Sequence, residues 1–297
     1  MEYNLYISRT EDDKFTLSIQ ESFKHASYHK ICSGSLSKIQ EIYDRVRIEH
    51  NLSSVEPIVI NDSLSNVFRS IREARDFILA KKRILILVPH DDDATISFAA
   101  LIIKERSKGH YIHVHEFTVG GPCSAAPQET RLKEYIAAMR WLKVSKYTWS
   151  GEGMDGKLSS YPNTEITGYI DNLVKSEKPH EVYCAALSEH ADHKALYEGF
   201  VASCRLKSGW MPKLYAVGTY MFSNQGYVGK DGGKIFNPMD KDLYEKKLYA
   251  FSRSKSQYKP SPSPLGAEGL RIMSEFYGML CGYPYAEMYY QLKYIRS

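Results

Sequence analysis

The sequence has no CxxC pair, no long uninterrupted apolar run, no internal repeat and no strong excess of one charge. Its five cysteines, Cys32, Cys123, Cys184, Cys204 and Cys281, are odd in number and widely scattered. That spacing argues against a thiolate zinc knuckle and fits reduced, mostly buried thiols of a cytoplasmic protein. No apolar stretch approaches the roughly 18 residues of a membrane span. The first 25 residues carry charges throughout and do not read as a signal peptide. With 39 basic and 35 acidic residues, the formal charge is only +4, too balanced to imply nucleic acid by itself. Low complexity is confined to one Pro/Gly/Ser loop, "KPSPSPLGAEG", at 259–269.

What is present is an ordinary globular composition, 43% hydrophobic and 25% charged over 297 residues. That suits one large domain, or a domain with a small extension. Tyrosine is abundant, at 23. Tyrosines suit surfaces that hold polar, ring-shaped ligands, and they pack equally well with no ligand.

Residues 1–78 mix strand-like pieces ("YNLYIS", "KFTLSIQ", "EPIVI") with helical stripes, one through Leu36, Ile39, Ile42, Tyr43 and Val46 and one from near Ser63. We read them as a small α/β extension of unknown role, and 79–297 as the main domain. From Lys81 the pattern alternates. Strands are expected at 83–88, 111–118, 146–150, 182–186 and 213–219, and helices at 94–106, 128–142, 162–176 and 191–205. Strands separated by helices of this length predict a Rossmann-like, mostly parallel α/β sheet flanked by helices.

In such a sheet, ligands bind beyond the carboxyl ends of the strands. "RILILVPH" is the most apolar strand candidate, hence central, and it delivers His90, Asp91, Asp92 and Asp93 into its exit loop. Carboxylates are tolerated where a helix starts, so these could simply cap the helix. One suffices for a cap; three beside a histidine suggest a bound cation. "SEHADH" follows another strand candidate and brings His190, Asp192 and His193. Two imidazoles and a carboxylate form a catalytic zinc set that leaves a position for water. His90, Asp93 and His193 can share one ion. Asp92 then stands beside metal-bound water as general base. His190, protonated, can steady an oxyanion or supply a proton to a leaving amine. Asp192 can orient an imidazole.

On these motifs the chain resembles the PIG-L/LmbE-like zinc-dependent de-N-acetylases. "PHDDDA" is similar to the family's Pro-His-Pro-Asp-Asp-Glu, with Asp91 replacing the second proline and Ala94 the glutamate. "HADH" matches its His-x-Asp-His. The resemblance implies that His90, Asp93 and His193 hold zinc, one ion per chain. It implies that Asp92 is the base, that His190 stabilises the oxyanion, and that Asp192 supports His190. Weaker similarities follow in the family's order: "FTVGG" (Gly120, Gly121), "RLKEYIAAMRWLKV" (Arg131, Glu134), "GMDGKL" (Asp155, Gly156), "KKLYAFSRSKSQ" (Lys247, Ser256, Gln257) and "YAEMYYQLK" (Glu287). The resemblance covers about 81–297 and implies removal of an N-acetyl group from an N-acetylglucosaminyl-type sugar or conjugate.

Each secondary residue has a plainer alternative. Asp91 is expected to face solvent, although it could raise a neighbouring pKa by like-charge repulsion. Arg131 can contact substrate or phosphate, or pair with Glu134. Asp155 can bind sugar hydroxyls or shape its turn with Gly156. Gly120 and Gly121 can admit a ligand close to the backbone, or serve an ordinary turn. Lys247, Ser256 and Gln257 read as scaffold or pocket wall. Among Trp141, Trp149 and Trp210, core or rim is expected, with sugar stacking open for one. "GHYIHVH" mimics metal spacing, but its strand lies inside the sheet, so His113 and His115 are expected to be packing residues. Cys123 in "GPCSA" lacks a base in its own motif and is not expected to be a nucleophile. The partner expected is an amino-sugar-containing small molecule or glycoconjugate, with no nucleic acid and no membrane span. Rival readings are a noncatalytic carbohydrate-binding or complex-forming protein, or a phosphoesterase using two metals. Nitrogen and oxygen ligands also admit iron, manganese or cobalt in place of zinc.

Overall fold

The computed structural model describes the backbone of four strands before residue 60 and most of residues 82–297; outside it lie the rest of 1–81 and the segments 121–125, 151–153, 186–187, 207–208, 219–232, 261–262, 264 and 296–297. The chain divides into two compact units, Met1–Lys81 and Lys82–Ser297.

In the first unit, β1 (Tyr3–Arg9), β2 (Phe15–Glu21), β3 (His29–Gly34) and β4 (Pro57–Val59) form a sheet of order β3-β2-β1-β4. β1 pairs antiparallel with β2 and parallel with β4, and β2 antiparallel with β3. "YNLYIS", "KFTLSIQ" and "EPIVI" are the strands expected, and β3 is additional. The helical stripes expected at 36–46 and from Ser63 fall outside the described residues.

The second unit is a seven-stranded sheet of order β10-β11-β9-β8-β5-β6-β7. Its strands are β5 (Arg83–Val88), β6 (Tyr111–Glu116), β7 (Lys146–Trp149), β8 (Glu181–Cys184), β9 (Leu214–Gly218), β10 (Lys234–Met239) and β11 (Tyr285–Tyr294). The five strands from β9 to β7 run parallel, and β11 and β10 add an antiparallel edge. The helices are α1 (Asp93–Ser107), α2 (Gln128–Trp141), α3 (Asn163–Glu177), α4 (Ala191–Ser203), α5 (Lys241–Phe251) and α6 (Ala267–Cys281). This is the Rossmann-like α/β fold, with each expected crossover element within a few residues of its expected bounds. β10, α5, α6 and β11 were not anticipated as elements. β10 carries Pro238, which an edge strand tolerates because no ladder bond is lost on its free side.

β5 shows why the sheet is covered on both faces. Ile84, Ile86 and Val88 pack on one side with Phe98, Tyr135, Ala138 and Met139 of α1 and α2. Leu85 and Leu87 pack on the other with Ile166, Ile170, Leu196 and Phe200 of α3 and α4. Alternate residues of a strand point to opposite faces, so a strand apolar at every position must be buried twice. α1 is buried nearly all round from Asp93 to Ile102. α5 and α6 close over its outer side, where Ile96 meets Phe251 and Leu270. That is the expected fate of a helix without a polar face.

The strand order also places the ligand site. The chain leaves β5 toward β6 and β7, then returns to β8 and β9 on the opposite side of β5. The sheet therefore reverses its winding between β5 and β8, and a crevice opens at the carboxyl ends of such a pair. The two motifs follow these two strands, which pair directly at Leu87 and Cys184.

Candidate metal centre

His90, Asp93 and His193 meet at this crevice. One donor atom from each lies within 4.8 Å of the others, and all three residues are buried. Asp93 begins α1, and its Oδ2 accepts the His90 backbone N–H at 3.0 Å and lies 3.3 Å from His90 Nδ1. Its Oδ1 faces His193 Nε2 at 3.3 Å, yet is buried with no hydrogen bond to satisfy it among the described residues. An unsatisfied buried carboxylate oxygen between two imidazoles is the environment a divalent cation completes. Nitrogen and oxygen donors of this kind suit zinc and neighbouring transition metals.

The plain capping account of the aspartates does not hold. Asp92 is the N-cap of α1, has helical backbone angles and makes no side-chain cap bond; Thr95 instead donates its hydroxyl to the Asp92 carbonyl at 2.7 Å. The Asp92 carboxylate is buried beside the cluster without being one of the grouped donors. Burial first, and then the Asp93 charge, push Asp92 up to about 6, against the pull of Arg131 and His90. Burial also opposes ionisation of Asp93, but His193 and His90 hold it well below the usual carboxylate range. Burial opposes charge on His90, while Asp192 and Asp93 raise it well above an ordinary imidazole. The pocket thus draws positive charge into itself.

Asp91 corrects the sequence expectation. It is fully buried rather than facing solvent, and it forms an ion pair with Arg131 at the start of α2. Burial, with repulsion from Asp92, raises it to about 7 even so. Glu116, at the end of β6, is likewise pushed well above its usual range by burial and by Asp91. Arg131 is itself buried and committed to Asp91, with Asp155 at 3.8 Å. It is therefore neither a solvent-facing phosphate contact nor the partner of Glu134, whose carboxylate receives Ser256 N–H and Oγ–H at 3.0 and 2.7 Å. Asp155 lies 3.4 Å from His90 Nε2, inside this network rather than on a sugar-facing surface.

Asp192 supports a different imidazole from the one expected. Its Oδ2 is 3.2 Å from His90 Nε2, and its two oxygens accept Gly156 N–H at 2.7 Å and Leu158 N–H at 2.8 Å. It therefore steadies His90 and ties the loop after β7 to the start of α4. His190 caps α4 through Nδ1, which accepts the Asp192 N–H at 3.3 Å. That bond assigns the ring proton to Nε2, so a neutral His190 still presents a donor; burial and His90 lower its pKa. His90, His190 and Asp192 form a second grouping within 4.8 Å. It shares His90 with the first, and the Asp192 oxygens are already taken by backbone donors, which favours the first set.

Gly120 has φ +57°, and a Cβ there would come within 2.6 Å of the Gln128 backbone; its carbonyl accepts Asp155 N–H at 2.9 Å. It is required by its own turn rather than by a ligand. Gly121 and Cys123 lie outside the described residues. His113 and His115 share Thr148 Oγ1 at 2.7 Å each and are packed in the sheet, as expected. Trp141 lies against Tyr249 with its ring tilted, and Trp210, partly exposed, donates to the Pro179 carbonyl. Lys247 and Glu287 form a buried scaffold pair at 2.7 Å. Cys184 is buried, and Cys204 and Cys281 are half-buried. No helix among the described residues is long and apolar enough to cross a membrane.

Fold and site together define a Rossmann-like α/β protein with a candidate His/Asp metal centre at the switch point of its sheet. Residues 85–204 match the PIG-L family model, described as GlcNAc-PI de-N-acetylase. Solved structures agree on the fold. The conserved protein TT1542 from Thermus thermophilus has 20% identity and TM-score 0.59, over 73% of this chain and 97% of its own. The N,N'-diacetylchitobiose deacetylase from Pyrococcus horikoshii has 22% identity and TM-score 0.58, over 78% and 94%. A zinc-inhibited form of teicoplanin deacetylase Orf2 has 18% identity and TM-score 0.57, over 72% and 98%. No curated protein matches the chain.

Proposed function

We propose that this protein is a zinc-dependent hydrolase that removes the N-acetyl group from an N-acetylglucosaminyl-type amino sugar or conjugate. The reading is carried by one observation: two imidazoles and Asp93 converge on a point, and the buried carboxylate of Asp92 stands next to them unligated. His90, Asp93 and His193 would hold the ion. When bound, it supplies Lewis-acid polarisation of a water and of the amide oxygen. Asp92 takes the proton of the attacking water. His190, through Nε2–H, donates a hydrogen bond to the oxygen that becomes negative as the carbonyl carbon turns tetrahedral. The C–N bond then breaks, and the proton held on Asp92 passes to the departing nitrogen. Acetate and a free amine leave, with no covalent enzyme intermediate. Asp192 acts by orienting His90, and Asp91 with Arg131 by fixing the loop that presents Asp92.

The amino-sugar substrate is supported by the matched family description and by deacetylases among the structural relatives. A fold alone does not fix a substrate. The test is a screen of N-acetylated sugars, nucleotide sugars and glycoconjugates for release of acetate and amine by zinc-loaded protein. Asp92→Asn should lower turnover about 10²–10⁴-fold while zinc content by elemental analysis stays near one per chain. Full turnover in that variant would remove Asp92 as the base, and two zinc ions per chain would favour a phosphoesterase.

A further inference from the structure

A row of polar side chains crosses β6 and β7, and the direction of its hydrogen bonds can be worked out. His113 Nδ1 faces Glu177 Oε1 at 3.4 Å, in an electrostatic contact rather than a full hydrogen bond. Burial opposes charge on Glu177, but His113 and Lys146 keep it ionised, and an ionised carboxylate only accepts. The His113 hydrogen is therefore on Nδ1, and its Nε2 accepts the Thr148 hydroxyl at 2.7 Å. The Thr148 oxygen accepts His115 Nδ1–H at 2.7 Å, which leaves His115 Nε2 bare toward Ser150 Oγ at 3.3 Å. Burial lowers the pKa of both imidazoles, so each carries a single ring hydrogen. Ser150 thus gives its one hydrogen to His115, and toward anything else its oxygen can only accept.

Ser150 also lines a cavity of ≈ 240 Å³ beyond the carboxyl ends of β6 and β7. No residue of the metal site lines it. The rest of its lining is aromatic at Phe117, Tyr161 and Tyr169, aliphatic at Leu158 and Ile166, and acidic at Glu165. Tyr169 is set by the Phe117 ring at 5.5 Å and the His115 ring at 5.2 Å. Glu165 lies in the first turn of α3, and its full negative charge outweighs the roughly half positive charge of a helix start. We propose that this cavity binds a small primary ammonium ion, at a site separate from the metal centre. An ammonium carries three donors and a positive charge, and Ser150 and Glu165 supply the acceptors. Aromatic faces attract a cation more than a neutral group of the same shape. The aliphatic residues suit a short alkyl stem. The volume lies below the roughly 300–1,000 Å³ of drug-sized pockets, which fits a molecule of a few carbon atoms. An anion is repelled by Glu165 and finds no hydrogen offered by Ser150.

The probe is n-butylammonium, titrated calorimetrically into the zinc-loaded full-length protein at pH 7, with n-butanol as its neutral match in shape. One saturable site is expected, with n-butanol weaker by about tenfold or more. Glu165→Gln should weaken the amine about tenfold and leave n-butanol unchanged. Ser150→Ala should weaken the amine several-fold. Should that variant lose its fold by circular dichroism, Glu165→Gln, at an exposed position, decides alone. An amine bound at the zinc instead would be insensitive to both variants, and that result would overturn the proposal. So would equal affinity for n-butanol, or no saturable binding of the amine.

Discussion

Two clusters of buried charge touch α1, and they are finished to different degrees. Midway along the helix, Glu287 of β11 accepts the backbone N–H groups of Ala100 and Leu101 at 2.9 and 3.0 Å. It also accepts Lys247 at 2.7 Å, Asn237 at 3.1 Å and the Tyr289 hydroxyl at 2.5 Å. At the start of the same helix, Asp91 Oδ2, Asp93 Oδ1 and Glu116 Oε2 are buried without a hydrogen-bond partner among the described residues. A satisfied network rigidifies a fold. An unsatisfied group calls for an explanation of its own, and at Asp93 the two flanking imidazoles point to a cation. Burial alone does not separate scaffold from site, since Lys247 and Asp93 are equally hidden.

The contrast can be broken most severely at the unfinished cluster. His193→Ala removes one imidazole of the proposed set and should abolish both stoichiometric zinc and activity. Zinc in the unsubstituted protein, supplied at about a thousand times its dissociation constant, should stabilise folding by roughly 4 kcal/mol, seen as a raised melting temperature that chelator reverses. Retention of that zinc-dependent shift in His193→Ala would exclude His193 as a ligand. At the finished cluster, Glu287→Gln strands Lys247 in the core, where burial already lowers its pKa against the pull of Glu287. Its cost should be on the order of 3 kcal/mol in urea unfolding, with the zinc-dependent shift preserved. Loss of that shift would mean the two clusters are not separable.

A smaller effect concerns acid. Burial, then His113 and Lys146, hold His115 down to about 3. Burial works against Glu177, but His113 and Lys146 hold it down to about 2. The unfolded chain binds a proton on His115 near pH 6.5, and the folded chain does not until about 3. The contribution of His115 is therefore full above pH 6.5 and declines as the pH falls toward 3, with Glu177 adding to the decline below about 4.5. Unfolding free energies of the unsubstituted protein and of a His115 variant, compared from pH 7 to pH 4, should differ by this slope. A His115→Gln variant should flatten its upper part, and an unchanged slope would assign the acid sensitivity elsewhere.

Much of the site was legible in order along the chain. His90, Asp93 and His193 were readable because their types and spacing suit a metal, and because each follows a strand whose apolar run announces it. His113 and His115 were separable from them because alternation within an interior strand leaves no room for an ion. What misled was locality. Asp91 looked like a surface residue because its neighbours are acidic, and its partner Arg131 is distant in sequence. Asp192 was assigned to His190, two residues away, while its carboxylate reaches His90 across the β5–β8 junction. β10, α5, α6 and β11 escaped because edge pairing and the covering of α1 are properties of the assembled sheet.

The residues themselves determined the alternating strands and helices, the two histidine–aspartate motifs and the chemistry those side chains can perform. Apolar periodicity and donor type are local properties, written in neighbouring letters. Only the tertiary structure decided which carboxylates are satisfied and which imidazole Asp192 holds. It also decided that Arg131 is committed inside. Those outcomes depend on which strand ends lie side by side, and that is set by the packing of the whole sheet.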